Sequence, residues 1–230
     1  MQKVRQTVCA FVVVLVLFVF SGCEKPSENQ PGLPMERISF RDVPGITEDE
    51  IKAIELLRET TGSFVYAMMP NTEAFLDKNG EIRGFTALYC EWLTELFGIP
   101  FVPTHVTWLE LVDGLESGTV DFTGTISSTE ERRQIYFMTD AIASRTIKQM
   151  RLPGSESLSE IRKTRLPRYA VLSGSILFDR VSYYITEEFE LVPVDEYIDA
   201  YELLQNGTID ALVAESPAEA LFDNYGGVVA

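Results

Sequence analysis

Residues Gly84–Lys148 read GFTALYCEWLTELFGIPFVPTHVTWLELVDGLESGTVDFTGTISSTEERRQIYFMTDAIASRTIK. Leu88, Trp92, Leu93, Leu96 and Phe97 recur at helical period and stop at Gly98. A short β-branched run follows at Ile99–Val102. A second helical set, Trp108, Leu109, Leu111, Val112 and Leu115, stops at Gly118, and Val120–Phe122 reads as another strand. Helix, strand, helix, strand at this spacing predicts a parallel α/β sheet. Such sheets bind ligands beyond the carboxyl ends of their strands, and the polar turn Gly124–Arg132 falls at one of those ends.

Four motifs within this stretch, in order and at matching spacing, resemble the family 3 extracellular solute-binding proteins. They are Gly84-Phe85 before a helix; Trp108 followed by Leu115-Glu116-Ser117-Gly118-Thr119-Val120-Asp121; Ser127-Ser128-Thr129-Glu130-Glu131-Arg132; and Phe137-Met138-Thr139-Asp140. The resemblance implies a bilobed type II periplasmic-binding fold, two parallel or mixed sheets joined by a hinge. It is also similar in the second half, where Gly207-Thr208-Ile209-Asp210-Ala211-Leu212-Val213-Ala214-Glu215 follows the family's G-x-[IV]-D-A-[LV]-V-x-[DE] pattern. Relatives of this kind continue beyond the point matched by Ala230, so a C-terminal return segment to lobe 1 is expected to be missing here.

The expected order is a signal at 1–22, a tether at 23–36, lobe 1 at 37–146, a hinge crossing and connection at 147–168, and lobe 2 at 169–230. Thr47-Glu48-Asp49-Glu50 is a capping box that opens a helix before the first strand. That helix carries an apolar stripe of Ile51, Ile54, Leu56 and Leu57. Ser63–Met69 reads as the first strand of lobe 1, and Asp77-Lys78-Asn79-Gly80 as a tight turn. In lobe 2, Tyr169–Leu172 is a strand, Ser173-Gly174-Ser175 a turn, Ile176–Glu188 a helix and Phe189–Val194 a strand. Asp195 is expected to cap a helix running to Gln205, with a further strand at Ile209–Val213 and a helix opened by Ala214–Pro217. Leu115–Asp121 echoes Leu204–Asp210.

At the N-terminus, Lys3 and Arg5 precede an apolar run from Val8 to Phe20, shorter than the ~20 residues of a bilayer span. Ser21-Gly22-Cys23 resembles a lipoprotein processing site, with Cys23 lipidated; an uncleaved anchor is the alternative. Either places the folded part on the extracytoplasmic face of the cell membrane. Residues 24–36, rich in Pro, Glu and Ser, read as a flexible tether. The chain of 230 residues carries a net charge of −16, against a nucleic-acid partner or a basic lipid-docking patch. Of three cysteines, Cys9 lies in the signal and Cys23 would carry lipid, which leaves Cys90 as a small core residue with no disulfide partner. His105 is the only histidine, and no clustered ligand set points to a metal or cofactor.

For the ligand, the resemblance implies that Arg132 grips a carboxylate through two parallel hydrogen bonds. Thr125 and Ser127 offer hydroxyls and amides beside it, with Thr129 the cap of the following helix. Glu215 stands where relatives that bind α-amino acids hold the ammonium group. Ser175 is a candidate of the same kind, and Trp108 and Tyr66 are candidate apolar walls. Thr86-Ala87-Leu88 departs from the G-F-D-V-D of amino-acid binders, so an amino acid and another small carboxylate both stay open. The expected role is that of a monomer binding a small polar solute between its lobes and presenting it to an ABC permease. The alternative is a sensory input domain of a histidine kinase or diguanylate cyclase. An enzyme is not expected, because no nucleophile, base and orienting group assemble from the sequence.

Overall fold

The computed structural model describes residues 39–230. The expected signal, the tether and Cys23 fall outside the described residues. Three sheets form in the described residues: two with parallel strands and helices packed on them, and one small antiparallel hairpin.

The first sheet pairs β1 (Phe64–Met68) in parallel with β4 (Phe101–His105). Between them in sequence come the antiparallel hairpin β2 (Phe75–Leu76) and β3 (Ile82–Arg83), turned by Asp77 Oδ1 accepting from the N–H groups of Asn79 and Glu81. Ahead of these lies α1 (Glu48–Thr60), capped by Thr47 and Glu50. Its apolar stripe is not buried: Ile51 and Ile54 are half-covered and Leu56 is 60% exposed. Helices α2 (Phe85–Phe97) and α3 (Trp108–Ser117) both end on glycines in the left-handed region, Gly98 and Gly118. Cys90 on α2 is buried, and burial pushes its thiol up to about 11. The strand expected at Val120–Phe122 is a single bridge from Phe122 to Tyr66, because the chain turns away at Gly124.

Helix α4 (Glu130–Arg133) is one turn, capped by Thr129. The second sheet has the order β5 (Ile147–Met150), β8 (Ala211–Glu215), β6 (Arg168–Leu172), β7 (Glu190–Val194), with β5 antiparallel and the rest parallel. Residues 147–150, expected in the hinge crossing, are therefore a strand of the second sheet, held by β8. Helix α5 (Leu158–Ile161) lies in the connection. Helix α6 (Ile176–Tyr184) stops four residues earlier than its expected end, and α7 (Tyr197–Gln205) starts after Glu196 rather than on an Asp195 cap. The segment after β8, Ser216–Tyr225, is a 3-10 run with Pro217 in its first turn.

The second sheet is packed on both faces. Met150, Ala170, Leu212 and Phe222 lie on one side, and Tyr169, Val171, Leu177 and Val213 on the other. A further cluster joins Ala67, Met69, Trp108 and Leu111 of the first half to Leu172 of the second, so apolar packing continues between the lobes.

Candidate functional site

Every parallel strand points its carboxyl end at one place. Met69 follows β1, Trp108 opens α3 after β4, Leu172 ends β6, Tyr197 opens α7 after β7, and Glu215 ends β8. All five line one cavity, together with Thr125, Ser127, Arg132, Ser175 and Leu177. Its volume is about 40 Å³. A second chamber of about 20 Å³ adjoins it, sharing Met69, Thr125, Tyr197 and Glu215 and adding Asn71, Arg145 and Pro217. Together the two are large enough for only a few waters.

Arg132 crosses between the lobes. Its Nη1 donates to the Ser127 carbonyl at 3.0 Å and its Nη2 to the Gly174 carbonyl at 3.3 Å. The guanidinium carbon lies 6.0 Å from the centre of the Trp108 ring. Desolvation lowers its pKa. Among the described residues no carboxylate comes within ion-pair distance of it. A half-buried guanidinium bonded only to carbonyls keeps its full charge for an anion.

Around it the polar groups differ in freedom. Thr125 Oγ1 is buried with no hydrogen-bond partner. Ser127 contributes its carbonyl to Arg132. Ser175 is committed locally: its Oγ donates to the Leu172 carbonyl at 2.7 Å and accepts from the Phe178 N–H at 3.2 Å, capping α6. The N–H groups of Ile176 and Leu177 belong to that helix's first turn, where no intrahelical acceptor exists, and both residues line the cavity. Trp108 is 5% exposed, half wall and half core.

Tyr66 is not a wall. It is 4% exposed, packed edge-on to Tyr89, and lines neither chamber. It acts underneath: a Cβ on Gly124 would lie 2.6 Å from the Tyr66 hydroxyl, so only glycine lets the 124–127 turn sit down on it. Thr86, Ala87 and Leu88, which depart from the amino-acid binders' pattern, also line neither chamber.

Glu215 does reach the cavity, but it is paired. Arg145 Nη1 lies 3.2 Å from Glu215 Oε2. The same guanidinium forks onto Glu73, with Nε to Oε1 at 3.0 Å and Nη2 to Oε2 at 2.5 Å, and also meets the Gly124 carbonyl at 3.3 Å. Glu73 is presented by an Asx turn in which Asn71 Oδ1 accepts from the Glu73 and Ala74 N–H groups. Gly84 makes this loop possible, since a Cβ there would stand 2.5 Å from the Glu73 carbonyl oxygen, with φ at +104°. Arg145, Glu73 and Tyr197 did not emerge from the sequence. Tyr197 had a signal: it stands in the second half where Trp108 stands in the first, three residues past the end of its strand.

Comparison with known proteins bears on the fold and on part of the chain. Residues 65–165 match the family described as bacterial extracellular solute-binding proteins, family 3. The resemblance read from the motifs holds over that segment. No curated protein sequence matches the chain. Among solved structures, a glycine-to-alanine mutant of arginine-bound ArgBP from T. maritima is 21% identical, with 76% of this chain and 84% of that one covered and a TM-score of 0.59. An amino acid ABC transporter substrate-binding protein from Streptococcus pneumoniae, bound to L-arginine, is 18% identical over 77% of this chain and 76% of its own, at 0.59. An ancestral amino acid-binding protein, described as a precursor of cyclohexadienyl dehydratase, is 19% identical over 77% and 81%, at 0.58. The fold is the α/β type II periplasmic-binding fold.

Proposed function

We propose, with the family 3 segment and the type II fold as premises, that the chain binds a small carboxylate-bearing solute between its two lobes. One observation carries this: Arg132 stands in the cavity wall, bonded to carbonyls of both lobes and to no carboxylate among the described residues. Ile176 and Leu177, in the first turn of α6, and Thr125, whose buried hydroxyl has no partner, line the same space. An anion there joins donors from both halves and favours the closed arrangement. Binding in the micromolar range, about −8 kcal/mol, needs only a few such contacts.

The names of the similar structures support delivery to an ABC importer on the extracytoplasmic side. A sensory input domain has no such support. We read the chain as a monomeric binder rather than a catalyst, tethered through lipid on Cys23.

Thermal unfolding of the full chain against a panel of small carboxylates, on wild type and Arg132→Ala, tests the site. A ligand that binds the native state raises the melting temperature. The expected result is a shift in wild type that Arg132→Ala loses. A shift retained in the variant overturns the assignment of Arg132.

A further inference from the structure

We propose that Arg145 takes the place of a ligand ammonium at Glu215, so that the cleft selects carboxylates without an α-ammonium group; this rests on the carboxylate reading above. Three charged groups line the two chambers: Arg132, Arg145 and Glu215. Their sum is +1. Glu73 lines neither chamber, and both its oxygens are held in the Arg145 fork. A solute therefore meets two guanidinium groups and one carboxylate that is already shared.

Geometry sharpens the point. Arg145 is 14% exposed in its side chain, anchored on one lobe by Glu73 and reaching Glu215 on the other at 3.2 Å. An ammonium bonded to Glu215 would lie against that guanidinium inside a cleft of low dielectric, where like charges repel strongly. The remaining polar groups favour a different substituent. The Thr125 hydroxyl is buried without a partner, and the Tyr197 hydroxyl forms no hydrogen bond with any described residue while its ring lines both chambers. Neutral hydroxyls of this kind can donate to a ligand oxygen, as in a 2-hydroxy or 2-oxo acid, but bring no negative charge to offset the repulsion an ammonium would meet at Arg145.

Calorimetric titration of the full chain with matched pairs decides it: lactate against alanine, malate against aspartate, 2-oxoglutarate against glutamate. In wild type the nitrogen-free member of at least one pair is expected to bind tenfold or more tightly than its amino acid. In Arg145→Met/Glu73→Gln, which removes both charges of the fork together and leaves Glu215 free to meet an ammonium, that ratio is expected to fall tenfold or to invert. Equal or tighter binding of the amino acids by wild type overturns the proposal without variants. So does an unchanged ratio in a double variant that melts cooperatively. If no member of any pair binds wild type, the carboxylate reading falls and this one with it. Loss of all binding in Arg132→Ala, with amino acids preferred by wild type, keeps the first reading and sinks the second.

Discussion

Residues 101–121 and 190–210 build the same object twice. Strand β4 and helix α3 of the first correspond to β7 and α7 of the second, each position numbered 89 higher (190 − 101). The Thr107 N–H donates to Glu110 as the Glu196 N–H donates to Asp199. Thr119 and Val120 donate to the Gly114 carbonyl as Thr208 and Ile209 donate to that of Leu203. Gly118 and Gly207 each have φ at +74°. Asp121 then caps the N–H of Val65 and Asp210 that of Arg168, both at 2.8 Å. The difference lies in what surrounds the aspartate. Asp121 is exposed. Asp210 is 7% exposed in its side chain and clasped by Arg165 and Arg168. Beyond it the chain runs on as β8 between two strands, whereas beyond Asp121 it makes one bridge. Local sequence sets the module; its surroundings set how firmly it is anchored.

The contrast is tested most strongly at the two aromatics that open the helices. Trp108→Ala removes a buried ring that packs against both lobes and should cost about 3–5 kcal/mol. Tyr197, only partly buried, should cost about 2 kcal/mol when cut to alanine; urea midpoints measure both. At the aspartates, Asp210→Ala leaves two arginines unmatched and is expected to cost about 3 kcal/mol, partly screened at the more exposed Arg165. Asp121→Ala loses one hydrogen bond, about 1 kcal/mol. Equal losses would break the distinction between the two anchors.

pH separates them further. Burial raises the Asp210 carboxyl pKa, but hydrogen bonds from Arg165, Arg168 and the Arg168 N–H outweigh it and hold the pKa well below the carboxylate range. A lowered folded pKa means stability that is present above the unfolded value and lost as pH falls toward the folded one. The stability gap between wild type and Asp210→Asn should thus be full near neutrality and narrow below about pH 4. A gap that widens on acidification would contradict the sign. The smallest contrast is at the glycines. Gly118→Ala and Gly207→Ala meet nothing within 4 Å, so both should cost the same, about 1–2 kcal/mol of left-handed backbone strain. Unequal costs would show that the turns are not equivalent.

The fold was legible because its signals are local. Periodicity gave α2 and α3, glycines gave their ends, and the family motifs placed Arg132, Thr125, Ser127, Trp108, Ser175 and Glu215, all of which line the cavity. What stayed hidden depends on distance in sequence. Arg145 and Glu73 are 72 residues apart, and nothing in the order of the chain announces their fork. Tyr66, in the middle of β1, lies beneath the Gly124 turn, and strand alternation alone does not tell that position from one facing the cleft. The stripe on α1 was legible, but its residues stay exposed or half-covered; period reports a face, not what covers it. The end of α6 was overrun because Thr186-Glu187-Glu188 holds no glycine or proline to mark a stop, whereas the backbone already turns extended at Ile185.

Cys90 turns one of these features into a clock. Among the described residues it is the one thiol, 1% exposed on the inner face of α2, with its thiolate form disfavoured by burial. An alkylating reagent can reach it only when the first half opens. Its rate of modification, followed by mass after digestion, therefore reads the opening of that half alone, while β8 and its neighbours can stay intact and silent. A solute that holds both halves together would slow the clock, and one that merely sits on the second half would leave it running.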